Sequence, residues 1–459
     1  MVLISRGIEQ IEGQLVFIGS IPRVKYNELV LITAPDGREM MGRCVLLSDE
    51  TIIIEAFNTT DGLDLENTTV EFSGDVYRVP LSDDMINRSF DGVGTPVDGG
   101  PNIIPESWKD VNGLSINPFA REYPRDLIET GISSMDTLTS LVCGQKLPIF
   151  SGQGLPHDGL ASRIVKHAHI YQRDAEERFL IIFAGMGIKY DTSIYFKNNF
   201  ERTESDVISF INLANDPTIE RLLTPRIALT AAEYFAFEKD FQVLVIMTDM
   251  TNYCEALREI SASKDEIPSR KGYPGYMYSD LASIYERAGR IKGHEGTITQ
   301  IPILTMPNDD INNPVPDLTG YITEGQIVLS RDLYGKDISP PIDILSSLSR
   351  LMKDSIKGTT RDDHADLMSQ LYTSYSKALD VRSLQAIVGD EGLTPLDKKY
   401  LRFVSEFEEH FLTQPMEIRR SLVESLDLAW EILAILPKSE LVRVKSRHIK
   451  AYYPKPEVS

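Results

Sequence analysis

The sequence predicts a multidomain protein with an N-terminal β-barrel, a central α/β domain on a mostly parallel sheet, and a C-terminal α-helical domain. Three observations carry this reading. Short β-prone runs crowd the first 80 residues, strands alternate with helices from about residue 115 to 345, and the last hundred residues carry apolar stripes at helical spacing. The predicted boundaries are residues 1–80, 81–350 and 351–459.

In the first part, Leu15 to Ile18, Glu28 to Ile32, Cys44 to Leu47, Thr51 to Ile54 and Thr69 to Phe72 are β-prone, with turns at Pro35-Asp36-Gly37 and Ser48-Asp49-Glu50. Closely spaced short strands of this kind suggest a small barrel. The Gly/Pro-rich run Asp91 to Pro101 marks a boundary region. In the central part, Phe179 to Ala184, Val207 to Leu213 and Val243 to Thr248 read as buried strands. Thr224-Pro225 predicts a helix start, as N-cap and first-turn proline. Alternation of strands and helices argues for a parallel sheet covered on both faces. In the last part, Thr394 with Asp397 predicts a capped helix carrying Tyr400, Phe403, Phe407 and Phe411. Leu422, Leu426, Ala429, Trp430 and Leu433 form a second stripe, which Pro437 stops.

Composition bounds the partners. The 459 residues are 42% hydrophobic and 25% charged, with mean hydropathy −0.16. Formal net charge is −21, which disfavours nucleic acid and anionic lipid. No apolar run approaches the roughly 20 residues that span a bilayer, and Met1 to Arg6 carries no signal-peptide pattern. Membrane attachment is therefore expected only through partner proteins. Cys44, Cys143 and Cys254 are few and far apart, which fits a reducing compartment and excludes a disulfide framework. His167 and His169 fall two apart on an expected helix running to 169, so they would point to different faces, and no metal site is expected.

The segment from Leu147 to His169 has the strand–loop–helix layout of a P-loop, and the central domain is expected to be of the P-loop (RecA-like) type. A working P-loop ends in Gly, a Lys for the β/γ-phosphates and a Ser/Thr for Mg²⁺. Here those places hold Pro156, His157 and Asp158. Proline removes a backbone N–H from the anion cradle, and an aspartate meets phosphate with like charge. Gly152, Gly154 and the following helix start retain some of the geometry for weak anion binding. Asp249, at the end of a buried strand, stands where a carboxylate would hold Mg²⁺ indirectly; equally, it could cap the turn that follows.

Longer motifs identify a family. Thr130 to Asp136, Arg221 to Arg226, Thr248 to Tyr253, Glu255 to Ile260, Gly272 to Tyr276 and Asp317 to Gln326 resemble the non-catalytic B subunit of archaeal A-type and vacuolar-type rotary ATPases. The resemblance runs from the barrel to Trp430, and Ser151 to His157 is similar to the loop B subunits carry. The catalytic partner in that family has an intact P-loop and a long insertion after the barrel, and this chain has neither. Asn312-Asn313, Gly13-Gln14 and Asn87-Arg88 depart from the family pattern.

The resemblance implies a regulatory subunit in an alternating 3:3 hexamer with catalytic A subunits, touching central and peripheral stalks. It would sit peripherally on the cytoplasmic face of the membrane, in a complex coupling ATP synthesis or hydrolysis to proton transport. MgATP or MgADP would lie at the interface with the catalytic subunit, with no nucleotide held tightly by this chain and only weak peripheral binding at Gly152, Gly154, His157 and Asp249. Arg350, in Ser346 to Leu351, would act in trans on the neighbour's site as an arginine finger. A planar, always-charged fork suits γ-phosphate oxygens as charge redistributes, and such fingers contribute about 10³–10⁵ in rate. By itself Arg350 is one arginine among many, and a solvated surface cation is the plain alternative. The loop Met306 to Asp317 and the turn Gly272 to Tyr276 would lie near subunit contacts, the alternatives being surface loop and local packing. Three rival functions remain at this level: an autonomous P-loop ATPase, against which His157 and Asp158 speak; a structural spacer, which would tolerate loss of Arg350; and a subunit whose disarmed loop still holds nucleotide weakly as a regulatory ligand.

Overall fold

A computed structural model describes residues 3–57, 59–172, 178–203, 205–264 and 266–454. Seven antiparallel strands form the N-terminal sheet: β1 (Leu3–Arg6), β2 (Gln10–Glu12), β3 (Leu15–Gly19), β4 (Glu28–Thr33), β5 (Glu39–Leu47), β6 (Thr51–Ala56) and β7 (Thr69–Val76). Their order is β1-β7-β4-β5-β6-β3-β2. Alternate residues point inward, so Val16, Ile18, Val30, Ile32, Ile54 and Phe72 fill one core. All five predicted strands are present, and β1 and β2, too short and polar to register in the sequence, complete the sheet.

The central sheet runs through β8 (Ser89–Asp91), β9 (Ile149–Gly152), β10 (Phe179–Ile188), β11 (Asp206–Leu213), β12 (Gln242–Thr248), β13 (Thr297–Met306), β14 (Gly325–Val328) and β15 (Leu348–Ser349). Its order is β15-β14-β9-β13-β12-β10-β11-β8. Every pair along this path is parallel except the terminal β14–β15 pair. Both faces are buried, which is why the strands read as continuous apolar runs. Val243, Val245 and Met247 of β12 face one core, while Leu244 and Ile246 face the other. The connections between these strands carry the helices α1 (Ser133–Leu138), α2 (His157–His167), α3 (Tyr190–Phe200), α4 (Thr218–Phe237), α5 (Met250–Ser263), α6 (Met277–Tyr285) and α7 (Pro314–Ile322).

The second core is continuous with the C-terminal helices. Leu367, Leu371, Phe403, Phe407 and Trp430 join it, so the helical part is packed onto the sheet's helix layer. These residues come from α8 (His364–Val388), α9 (Pro395–Glu406), a π turn at Phe407–Leu412 and α10 (Leu422–Leu433). Thr394 and Asp397 form the predicted capping box, and Ser421 with Glu424 forms another.

Two expectations fail. The helix expected to start at Thr224-Pro225 is α4, with Pro225 inside it. The Asn215-Asp216-Pro217 turn starts it, with the Leu213 N–H donating to Asp216 at 2.6 Å. Pro225 leaves the Arg221 carbonyl without its helical donor, and burial nearly all round offsets that cost. The helix after the loop, α2, ends before His169, which lies on the short strand His169–Ile170. His167 and His169 therefore do not share a helix.

Candidate functional site

The degenerate loop sits at the carboxyl end of β9, between the parallel neighbours β13 and β14. Gly154 adopts φ +81° in its turn, a conformation glycine takes without strain. The Leu155 N–H closes the loop on Gly152 O at 3.1 Å. Pro156 occupies the N-cap position of α2 and provides no side-chain cap.

The side chains around the loop are occupied by one another. His157 Nδ1 lies 3.0 Å from Ser151 Oγ, and its Nε2 is 3.6 Å from Asp158. Burial pushes the Asp158 carboxyl above its ordinary range; His157 pulls it down and Asp249 pushes it further up. Asp249 ends β12 and caps α5, accepting from Thr251 N at 2.8 Å. It also accepts from the Thr305 N–H at 3.2 Å and from the Thr305 hydroxyl. The capping alternative thus describes what Asp249 does in this chain alone.

Across the loop, Arg331 donates from Nη2 to Gln153 O at 2.9 Å and pairs with Asp309 at 2.7 Å. A Cβ on Gly152 would lie 2.1 Å from Asp309 Oδ1, so the close approach of this carboxylate requires glycine. Arg331 is 178 residues from Gln153 along the chain, and no local pattern marks either it or Asp309 as part of the loop. The loop therefore offers no lysine, and three carboxylates stand around it. Among the described residues no group of three or more His, Cys, Asp or Glu could hold a metal ion.

Arg350 lies elsewhere on the sheet. It follows β15, which pairs with β14 through Gly325↔Ser349 and Gln326↔Leu348. Its N–H donates to Glu324 O at 2.9 Å, and its Nη1 lies 3.5 Å from Thr323 O. The side chain is exposed, and no ion pair holds it among the described residues. Glu324 is level with Lys146, since each donates its backbone N–H to the other residue, at 3.1 and 2.8 Å. Seven residues of strand and loop separate Lys146 from Gln153, roughly 20 Å at 3.3 Å per residue. Arg350 and the degenerate loop are thus at opposite ends of the parallel strands, beyond side-chain reach.

The turn at Gly272 to Tyr276 divides its aromatics. Tyr273 is buried and donates to Glu255 at 2.6 Å, while Tyr276 is exposed. The 306–317 loop is tied to it by Lys271–Asp310 at 3.0 Å and Arg270–Asp317 at 2.8 Å. Asn313 caps α7 through the Val315 N–H.

The fold and this loop define a protein of the nucleotide-binding class that includes the rotary ATP synthases, and comparison with known proteins makes that specific. The ATP synthase alpha/beta family nucleotide-binding domain matches residues 131–349. The family's beta-barrel domain matches residues 8–74, and the C-terminal domain of V and A type ATP synthase matches 353–453. The chain is 54% identical to the V-type ATP synthase beta chain 2 of Clostridium tetani, covering 97% of this chain and 98% of that one. It is 52% identical to the B subunit of the A-type ATP synthase of Aeropyrum pernix, over 98% and 97%. The solved structure of the ATP synthase subunit NeqB from Nanoarcheaum equitans superposes with a TM-score of 0.71 at 40% identity, covering 88% of this chain and 98% of that one. The chain belongs to the ATP synthase alpha/beta family, in its V- and A-type B-subunit branch. Among the described residues no helix is long and apolar enough to cross a membrane.

Proposed function

We propose that this chain is the non-catalytic, regulatory B subunit of an A-type or V-type rotary ATP synthase. It alternates with three catalytic A subunits in a hexameric head, contacts the stalks, and reaches the cytoplasmic face of the membrane only through that complex. Its own loop binds nucleotide weakly or not at all. MgATP or MgADP lies at the interface with the catalytic subunit, and Arg350 enters that site in trans. There its guanidinium neutralises charge developing on the transferred phosphoryl group, and the partner supplies the P-loop lysine and Mg²⁺ ligands. The barrel, residues 1–80, joins its counterparts in a crown; the central part, 81–350, presents the finger; the helical part, 351–459, moves against the stalk and links turnover to proton flow.

The single observation that carries this reading is the placement of Arg350: exposed, without an ion-pair partner among the described residues, and roughly 20 Å from the chain's own loop. A cation left free at that distance serves another chain's site better than its own. The test is ATP turnover by this chain alone, by the catalytic partner alone, and by the two mixed. Turnover confined to the mixture supports the assignment, and turnover by this chain alone contradicts it.

A further inference from the structure

The face carrying Arg350 also carries a groove of about 650 Å³ between the central sheet and the C-terminal helices. Leu138, Met352 and Met368 give it an apolar floor, and the half-exposed Leu345 and Leu348 stand at its rim. The two charged residues that line it, Lys353 and Arg443, are both cationic. In a chain with 68 acidic and 47 basic residues, a groove lined without a carboxylate runs against the general composition. Some cations on the same domain are paired, Lys445 with Asp366 at 3.2 Å and Arg361 with Asp363 at 2.7 Å. Among the described residues Lys353 and Arg443 have no ion pair; Arg443 is held through its backbone N–H, 2.9 Å from Gln370 Oε1.

We propose that this groove receives an acidic segment with apolar anchors from the neighbouring catalytic subunit, and that Lys353 and Arg443 set the strength of that contact. The proposal rests on the reading of Arg350 above. Leu348 lines the groove and is exposed, and Arg350, two residues on and also exposed, falls on the same side of the chain by strand alternation, so a chain whose phosphates meet Arg350 passes beside the groove. Charge complementarity then selects the segment. A basic or neutral one would cover two cations without pairing them, which is costly, whereas carboxylates at the rim steer association and fix register. The apolar floor beneath a charged rim is the usual anatomy of a protein interface.

The experiment is a sedimentation titration of this chain with its purified catalytic partner at two ionic strengths. It compares the intact chain with Lys353→Glu/Arg443→Glu and with Lys353→Gln/Arg443→Gln. The charge reversal weakens association on the order of tenfold or more and flattens its salt dependence, and the neutral pair gives an intermediate loss. Circular dichroism and melting of each isolated variant establish that it is folded, and the milder glutamine pair keeps the test alive if the reversal is not. Affinity and salt dependence equal to the intact chain in the folded variants would overturn the proposal. So would a loss confined to self-association of this chain without the partner. Arg350→Ala, assayed separately for turnover, tests the finger, so failure of one idea is distinguishable from failure of the other.

Discussion

His364 begins α8 and is fully buried, with Nε2 2.9 Å from the Thr137 carbonyl and Nδ1 3.0 Å from Thr360 Oγ1. The carbonyl can only accept, so Nε2 carries the proton, while Thr360 Oγ1, 3.0 Å from both Nδ1 and the Ile356 carbonyl, has one hydrogen to share between them. The neutral ring keeps its full donor bond at Nε2. Burial, more than any neighbour, lowers its pKa from 6.5 to about 4; the Thr137 hydrogen bond and Asp363 oppose that fall, and Arg361 adds to it. Because the folded state resists protonation more than the unfolded state, the contribution to stability is complete above about pH 6.5. It is lost as pH falls through that value toward 4. At about 1.4 kcal/mol per decade of proton affinity the full contribution is about 3 kcal/mol, and about 2 kcal/mol of it is gone at pH 5. His364→Gln removes the titration and at least one hydrogen bond, costing about 1–3 kcal/mol at pH 7.5. The assay is urea unfolding of the isolated Trp108→Phe chain at pH 7.5 and 5, with and without His364→Gln, followed by the fluorescence of Trp430, whose indole donates to the adjacent Asp363 at 2.7 Å. Other titrating groups cancel in the difference, so the gap between intact chain and variant narrows by about 2 kcal/mol at the lower pH. A gap that stays constant or widens in acid would show that His364 is not held neutral by its burial.

Three further outcomes are expected. Gly296→Ala places a Cβ 2.0 Å from the Ala236 carbonyl, a backbone atom that cannot swing aside, and lowers stability in urea by about 2 kcal/mol or more. Arg287→Ala removes a fully buried guanidinium that binds Glu233 at 2.6 and 2.8 Å; Glu233 is a quarter exposed and keeps water, so denaturation shows a loss of about 1.5–3 kcal/mol, less for Arg287→Met. Replacing Pro156, His157 and Asp158 by Gly, Lys and Thr restores the loop's lysine and N–H, and fluorescent-nucleotide titration shows affinity rising roughly 100-fold over the intact chain.

What the sequence made legible was local or periodic. The apolar run Val243 to Thr248 could only be a strand buried on both faces, and Thr394 with Asp397 announced a helix start through a hydrogen-bond pattern three residues long. The disarmed loop was legible because a P-loop is a contiguous signature. Thr224-Pro225 misled because its local chemistry suits a helix start equally well, while the Asp216 turn and the surrounding core decide the matter. The pairing of Asp309 with Arg331 over Gly152, and the burial of Lys146 between Glu286 and Glu324 at 2.8 and 3.0 Å, leave no periodic trace. Arg350 was visible only through a resemblance; its separation from the chain's own loop required the register of β9, β14 and β15.

Whether Arg350 serves another subunit's site is decided by ATP turnover in rings reconstituted with the catalytic partner, intact chain against Arg350→Ala, with ring size checked in the same samples. A trans-acting finger requires a fall of about 10³-fold or more with the ring still assembled. Unchanged turnover by an assembled Arg350→Ala ring would contradict it.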